Sequence, residues 1–439
     1  MLTAYKRLGW YQNNKVVFMN QNQNKDQNNT LLVLIPGLGA VATTFLAGVF
    51  AHIHHGRPMV GSITQNYKLP DRSDEPDPRN FRPLAEHLGL PALPNLAFAA
   101  WDITADNAYQ TAKKSQVLTP EDLELVREPL EQISPMPGVF ISDYVRRLEP
   151  SYIKKGSIRV EWVQELRNDI RVQKAQHGTD RAVMVWCGST ERFMQPQEVH
   201  QSLEAFEQGL AQDDPAISPS QMYAYAALME GVPMANGAPN LTLEIPALIE
   251  LAHKQGLPIA GKDFKTGQTF MKTLLAPGLK AQLQGAQGWF STNILGNKDG
   301  LVLDEPENFR TKEHSKLESL NSILETERYP ELYGDLHHTV RINYYPPRGD
   351  SKEGWDNIDI VGWMGYPMQI KVNFLCKDSI LAAPIVLDLA LLLDWAHGQG
   401  KTGIQEWMSF YFKDPHSEGK ALHNLMRQHQ NLLAELGAE

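Results

Sequence analysis

An unbroken apolar run, Thr30-Leu-Leu-Val-Leu-Ile35, passes directly into Pro36-Gly37-Leu38-Gly39-Ala40-Val41-Ala42 and then into the helical pattern Phe45–His54. A strand with no polar face needs cover on both sides, the condition of a central strand in a parallel α/β sheet. The spacing G-x-G-x-x-A lets the chain turn tightly into the helix and lets backbone approach an anion. The helix N-terminus then supplies unsatisfied N–H groups and a partial positive charge. Gly37, Gly39, Ala40 and Val41 are therefore candidates for holding a dinucleotide pyrophosphate. Pro58–Ile63 reads as a second strand, but it does not end in the acidic residue that grips an adenosine ribose. Asp102, closing Leu96-Ala-Phe-Ala-Ala-Trp-Asp102, is the substitute, although a strand-end aspartate equally suits a cap for a helix at Ala105.

The same alternation continues. Arg181–Cys187 is an apolar strand that runs into Gly188-Ser189-Thr190-Glu191-Arg192-Phe193, and Gly231–Ala235 leads into Gly237-Ala238-Pro239. Small residues after strand ends are where an α/β sheet takes its ligands, so Cys187, Gly188, Ser189, Thr190, Gly237 and Ala238 join the candidate cofactor set. Residues 118–180 show helical spacing broken at Pro135 and Pro137. Up to about residue 260 the pattern predicts a Rossmann-like, doubly wound parallel sheet. Beyond it, His338–Tyr345, Asp356–Trp363 and Met368–Leu375 alternate with period two, which predicts an antiparallel sheet in a second, α+β domain. Ser379–His397 and Gly403–Phe412 return to helix. The predicted division is 1–260, 261–378 and 379–439.

Composition narrows the classes. A chain of 439 residues, 42% hydrophobic and 21% charged, buries a full core without staples. Its net charge of −10 leaves no basic footprint for nucleic acid. Cys187 and Cys376 are far apart and form no C-x-x-C pair, which favours a reducing compartment, the cytoplasm. Nothing near the N-terminus reads as a signal peptide, and Gln21–Asn29 is a low-complexity loop or hairpin tip. Ile380–Ala396 is apolar, but it carries Asp388, Asp394 and a proline and falls short of the ~20 clean residues of a membrane span. A buried helix is the better reading. His52, His54 and His55 close a helix and read as its C-terminus, so no metal is expected there.

One stretch remains unabsorbed. Ser291–Gly300 packs amides, a carboxylate and two glycines into what reads as a polar loop at a strand end. Lys312 and Lys316 follow at i, i+4 on a predicted short helix, where like charges repel unless an anion relieves them. The same spacing suits a solvated Lys/Glu helix, with Glu313 and Glu318 close by.

Taken in order, Thr190–Phe193, Gly261-Lys-Asp-Phe-Lys-Thr-Gly-Gln-Thr269, Ser291–Gly300, Phe309–Lys316, Gly349-Asp-Ser-Lys352 and Asn373–Pro384 resemble segments of the myo-inositol-phosphate synthases. The resemblance implies an isomerase of inositol and phospholipid biosynthesis. With bound NAD, glucose 6-phosphate is oxidised at C5, enolised, closed by an intramolecular aldol step and reduced again, giving inositol 3-phosphate with no net redox. It also implies a homotetramer associating through the second domain's sheet, with the C-terminal part packing back on the first domain. The family's active-site lysines match Lys312, Lys316, Lys352 and Lys413. The resemblance places Lys312 and Lys352 near the C5 oxygen, and Lys316 and Lys413 near the C1 aldehyde. Asp263, Asp299, Asp350 and Asp378 match acidic positions that line the nicotinamide and hold the lysines. Asn297, Lys298, Gly349, Thr266, Gly267 and Ser379 complete the implied set.

Desolvation beside other cations is expected to lower lysine pKa values toward proton transfer. Two departures stand out. The glycine loop is shorter than in many relatives, and Asn297-Lys298 replaces two adjacent asparagines, so Lys298 is expected to stand in for a cation that relatives recruit beside the nicotinamide. The alternatives are an NAD-linked sugar- or polyol-phosphate dehydrogenase that releases NADH, for which a second cation pair has no use, and a catalytically silent sugar-phosphate sensor.

Overall fold

The computed structural model describes residues 29–70 and 81–438, and the side chains of 312–319 lie outside what it describes. The predicted Gln21–Asn29 loop falls almost wholly outside the described residues. Strand β1 (Leu31–Pro36) is buried at every position. Its odd and even residues serve different cores: Leu31, Val33 and Ile35 pack into one, Leu32 and Leu34 into the other. Alternation of side chains across a strand makes that two-sided burial inevitable once both faces are covered. The chain continues through α1 (Ala40–His55), β2 (Leu96–Asp102), β3 (Met136–Pro137), α2 (Arg159–His177), β4 (Ala182–Trp186), α3 (Pro219–Met229), β5 (Met234–Asn236), β6 (Pro258–Gly261) and α4 (Gly267–Ala281). It then forms β7 (Gly285–Leu295), α5 (Lys298–Leu303), α6 (Pro306–Leu324), β8 (His337–Tyr344), β9 (Ser351–Val361), β10 (Pro367–Lys377), α7 (Asp378–Gly398), β11 (Gly403–Ile404) and α8 (Leu425–Glu435).

The first sheet has the order β3-β2-β1-β4-β5-β6-β11, all parallel. This is the doubly wound Rossmann arrangement with one added strand, and its order reverses between β1 and β4. The second sheet runs β8-β7-β9-β10 and is mixed. β9 is antiparallel to both neighbours, while β8 lies parallel to β7, with His337 opposite Gly288 and Tyr344 opposite Leu295. The predicted antiparallel meander is therefore corrected. The segment between β7 and β8 contains α5 and α6, a helical crossover of the kind that returns a strand parallel rather than antiparallel.

Three other expectations are corrected. Pro58–Ile63 is not a strand: Ser62 caps a short helix at Ile63–Asn66, and β2 takes the place beside β1. Ser291–Leu295 belongs to β7, so the polar loop is only Gly296–Asn297 before α5 starts at Lys298. Gly403–Phe412 is a two-residue strand and a 3-10 turn rather than a helix. The break expected at Pro135 and Pro137 is present, and Met136–Pro137 forms the sheet's edge strand, where a missing N–H is tolerated.

Helix α7 explains why an apolar stretch of membrane-like character is a core element. It packs against α1 and β4, and nearly all of its residues from Val386 to Ala396 are buried. Its two carboxylates are both engaged. Asp394 takes a bidentate pair from Arg181 Nε and Nη2 at 2.6 and 2.5 Å. Asp388, fully buried, accepts from Ser62 Oγ, Thr64 Oγ1 and the Ile63 N–H at 2.5, 2.6 and 2.6 Å, and from Tyr411 OH at 3.2 Å. One buried carboxyl thus ties the Ser62 turn, α7 and the segment before Lys413 together. Asp388→Ala orphans several buried donors and is expected to lower stability by roughly 3–5 kcal/mol, read by urea unfolding; a wild-type midpoint would show that the network is dispensable.

Candidate functional site

Every strand of the first sheet from β1 to β6 delivers its carboxyl end to one side, and a cleft of about 530 Å³ opens there. At its floor the turns after β1 and β4 touch. A Cβ on Gly37 would stand 2.4 Å from Gly188 Cα, and Gly37 has a φ of +92°, so glycine is required twice over. Gly39, by contrast, has open space where its Cβ would be. It is the N-cap of α1, with no side-chain cap and no acidic residue in the first turn. The N-terminal N–H groups of a 16-residue helix are therefore presented to the cleft with the field an anion requires. At the end of β2, Asp102 Oδ1 accepts from Thr104 N–H and Oγ1 at 3.0 and 3.1 Å. Burial raises the Asp102 pKa against these bonds and the charge of Lys298. Open glycine, uncapped helix and strand-end carboxyl together fit the pyrophosphate and ribose of a dinucleotide.

The second sheet closes the cleft from above, because the end of β7, the start of β9 and the end of β10 lie side by side, with Ser351 opposite Lys377 and Glu353 opposite Ile294. Backbone meets backbone here as well: a Cβ on Gly296 would sit 2.4 Å from Tyr345 O, and Gly296 N–H donates to Gly349 O at 2.9 Å. Asp350, 2% exposed, accepts from Asn297 Nδ2 at 2.9 Å and from Ser379 Oγ and N–H at 2.9 and 3.2 Å. It thereby holds the β7 loop against the first turn of α7. Burial raises its pKa.

Two ammonium groups converge on this seam. Lys352 Nζ lies 3.0 Å from Asp378 Oδ2, and Lys413 Nζ lies 3.2 Å from Asp263 Oδ1. Both lysines are nearly fully buried. For Lys352, burial opposes the charge, but Asp378 and Asp299 outweigh it, and its pKa lies above the ordinary lysine value. The expected lowering does not occur there, because carboxylates rather than other cations surround it. Burial likewise opposes ionisation of Asp378, yet Lys352, Lys413 and a hydrogen bond from Thr266 hold its pKa well below the usual range. Asp263 adopts a φ of +63°, and its segment is clamped from two sides, Asp263 N–H to Ala238 O at 3.1 Å and Lys413 N–H to Asp263 O at 2.7 Å. Gly267 lies against Asp378, with its Cβ position 3.6 Å from Asp378 Oδ1.

Nearly all the residues expected from sequence meet in this cleft: Gly37 to Val41, Asp102, Cys187 to Thr190, Gly237, Ala238, Asp263, Thr266, Asn297 to Asp299, Gly349, Asp378, Ser379 and Lys413 line it. Asp350 and Lys352 stand directly behind, through Ser379 and Asp378. Lys312 and Lys316 are on α6, which at 19 residues is longer than expected, and their side chains lie outside the described residues. Lys298 is exposed at the rim, and the carboxylate that feels its charge is Asp102. His52 and His55 contact the backbone oxygens of Arg57 and Leu125, as a helix end does. Sequence reasoning missed the Gly138–Ile141 wall, Tyr344 and the role of Glu191. Glu191 carried a signal, a charged residue three after the strand-end glycine Gly188. Its carboxyl is fully buried and accepts from Ser220 N–H and Oγ, both at 2.8 Å, at the first turn of α3. Burial pushes its pKa up to about 7.

Comparison with known proteins is consistent with this geometry. A family model described as myo-inositol-1-phosphate synthase matches residues 31–436. An inositol-3-phosphate synthase of Bacteroides thetaiotaomicron is 49% identical over 393 residues, covering 89% of this chain and 90% of that protein. One from Oryza sativa is 33% identical, covering 83% and 74%. The crystal structure of inositol-3-phosphate synthase from Caenorhabditis elegans superposes with a TM-score of 0.85 at 26% identity, covering 94% of this chain and 86% of that one.

The Glu191 environment yields a pH prediction. Its folded pKa is raised, so the folded state favours the proton. This contribution is neutral below the unfolded value near 4.5 and turns against folding as pH rises to about 7. Glu191→Gln removes that dependence. Its melting temperature relative to wild type is expected to be higher at pH 8 than at pH 4.5, and an equal difference at both pH values would contradict a buried, protonatable Glu191.

Proposed function

This chain belongs to the myo-inositol-1-phosphate synthase family, and from that membership we propose that it converts D-glucose 6-phosphate to 1D-myo-inositol 3-phosphate with NAD as a redox-neutral cofactor. The observation that carries the reading is the meeting of two buried ammonium–carboxylate pairs, Lys352–Asp378 and Lys413–Asp263, at the seam where the second sheet closes the cleft. A dehydrogenase that stops at a ketone needs one cation at the carbonyl it forms. A cyclase needs a second at the aldehyde that is attacked.

NAD held in this cleft would supply the hydride acceptor for oxidation at C5 and the hydride donor for the reduction that follows ring closure. The pyrophosphate is assigned to the α1 N-terminus and the turns at Gly39 and Gly188, and the ribose to Asp102. Lys352, held charged by Asp378, is assigned to the C5 oxygen, where a fixed ammonium stabilises the negative charge of the alkoxide and then the enolate. Because its pKa is raised, it acts as a hydrogen-bond donor and charge, and proton movement is assigned to Lys312. Lys413, aligned by Asp263, and Lys316 are assigned to the C1 oxygen, which they polarise for attack by C6. Closure of the cleft by the second sheet keeps water from the ketone.

The division into 1–260, 261–378 and 379–439 belongs to the same proposal, as does a cytoplasmic homotetramer. Self-association is supported by Trp363, Met364 and Tyr366, 89%, 79% and 67% exposed, at the turn joining β9 to the edge strand β10. A reducing compartment is supported by two free cysteines.

Incubation with glucose 6-phosphate and catalytic NAD, followed by phosphorus NMR and NADH absorbance, is expected to give inositol phosphate without NADH accumulation. NADH rising in step with substrate loss would move the assignment to a dehydrogenase. Lys352→Gln is expected to lower kcat by about 10²–10³-fold. Asp102→Ala is expected to weaken NAD binding by roughly tenfold to a hundredfold with kcat at saturating NAD much less affected; the reverse pattern would remove Asp102 from the ribose.

A further inference from the structure

The loop that begins at the cofactor turn also holds the lysine-bearing helix. From below, Glu191 N–H donates to Asn240 Oδ1 at 2.8 Å, and the Glu191 carboxyl is fixed on the first turn of α3 through Ser220. From above, Asn308, 1% exposed on α6, donates its amide to Thr190 O at 2.8 Å and to Tyr144 O at 3.1 Å. Less than one turn later, Thr311 Oγ1 donates to Glu191 O at 3.1 Å. Phe193 N–H donates to Glu307 O at 3.1 Å, and the Arg310 guanidinium stands over the Phe193 ring at 4.6 Å. Apart from the bond to Tyr144, the contacts from above join residues 307–311 to the loop that follows Gly188. The next residue on the helix is Lys312.

In an α-helix each residue advances about 1.5 Å and ~100°, so two anchors three residues apart determine the height and facing of the positions that follow. Rotation or sliding of α6 by one residue would change the height and facing of positions 312 and 316, on which the reading above depends. A misplacement of about 1 Å at a reacting centre costs on the order of 10²-fold in rate.

We propose that Asn308 and Thr311 are positioning residues, which latch α6 to the Thr190–Glu191 backbone and so register Lys312 and Lys316 against the cofactor turn. The proposal rests on the reading above that α6 supplies those two lysines to the site. Neither Asn308 nor Thr311 is assigned a contact with substrate. The latch acts through two main-chain carbonyls, so what it requires at 311 is a hydroxyl, not a particular side-chain volume.

The test compares Thr311→Val, which keeps the shape and loses the hydroxyl, with Thr311→Ser, which keeps the hydroxyl, and with Asn308→Ala and Lys312→Ala. Inositol phosphate formation gives kcat, fluorescence titration gives the Kd for NAD, and thermal melting reports the fold. Thr311→Val is expected to lower kcat by about tenfold or more while NAD binding changes by less than about twofold, and Thr311→Ser to restore kcat to within about threefold of wild type. Wild-type kcat in Thr311→Val, an equal loss in Thr311→Ser, or a loss of NAD affinity in step with kcat overturns the latch. If Asn308→Ala does not fold, the Thr311 pair decides alone. Full activity in Lys312→Ala overturns the assignment of α6 to the site and the latch with it. An inactive Lys312→Ala beside a wild-type Thr311→Val overturns the latch only.

Discussion

The structure is arranged around two buried lysines, each of which requires a carboxylate beside it. An isolated buried charge costs several kcal/mol, and only close, well-oriented partners offset that cost. Asp378 and Asp263 meet the requirement from different directions. Asp378 comes from the junction of β10 with α7, and Asp263 from the segment after β6. Each pair forms on one framework, Lys352–Asp378 across the neighbouring strands β9 and β10 and Lys413–Asp263 between the chain after β6 and the chain after β11, and the docking of the two sheets brings the pairs together so that Asp378 feels both lysines. The glycine contacts that let backbones touch at the seam and the Asp350 network that pins α7 to the β7 loop hold the two pairs beside each other.

In the proposed reading the same pairs set the chemistry. Burial alone drives a lysine toward the neutral form, yet the carboxylates around Lys352 push it the other way. A cation that cannot easily lose its proton is well suited to stabilising an oxyanion and poorly suited to serving as base. The electrostatics therefore separate two tasks that the residue type alone leaves merged. Meanwhile the loop after Gly188 is tied to α6 by the side chains of Asn308 and Thr311, so in the proposed reading the cofactor turn and that helix are joined by a short path.

Much of the fold was legible. Leu31–Ile35 has no polar position, so it had to be a central strand, and Gly37 and Gly39 had to turn it into a helix. The alternation of apolar strands and helices up to residue 260 led to the doubly wound sheet. Reading failed where local pattern and tertiary partner diverge. Pro58–Ile63 is apolar enough for a strand, yet a buried Asp388 more than three hundred residues away captures Ser62 and Thr64 and makes it a helix start. Ser291–Leu295 looks like a loop because its polar side chains face inward, where Asp356 and Gln268 accept from Ser291 and Asn293. Strand period two cannot say which strand pairs with which, and so β8 was placed in an antiparallel meander although α5 and α6 return it parallel to β7.

By itself the sequence determined the elements whose causes are local: buried strands, glycine turns, the helix start at the cofactor turn, and the identity of the residues able to bear charge. Only the tertiary structure decided which charges meet. Lys352 and Asp378 are twenty-six residues apart, and Lys413 and Asp263 one hundred and fifty. Whether a lysine is pushed down by burial or held up by carboxylates depends on distances of 3 to 4 Å across such separations, because Coulomb energy in a poorly screened interior falls with distance in space and is indifferent to distance along the chain.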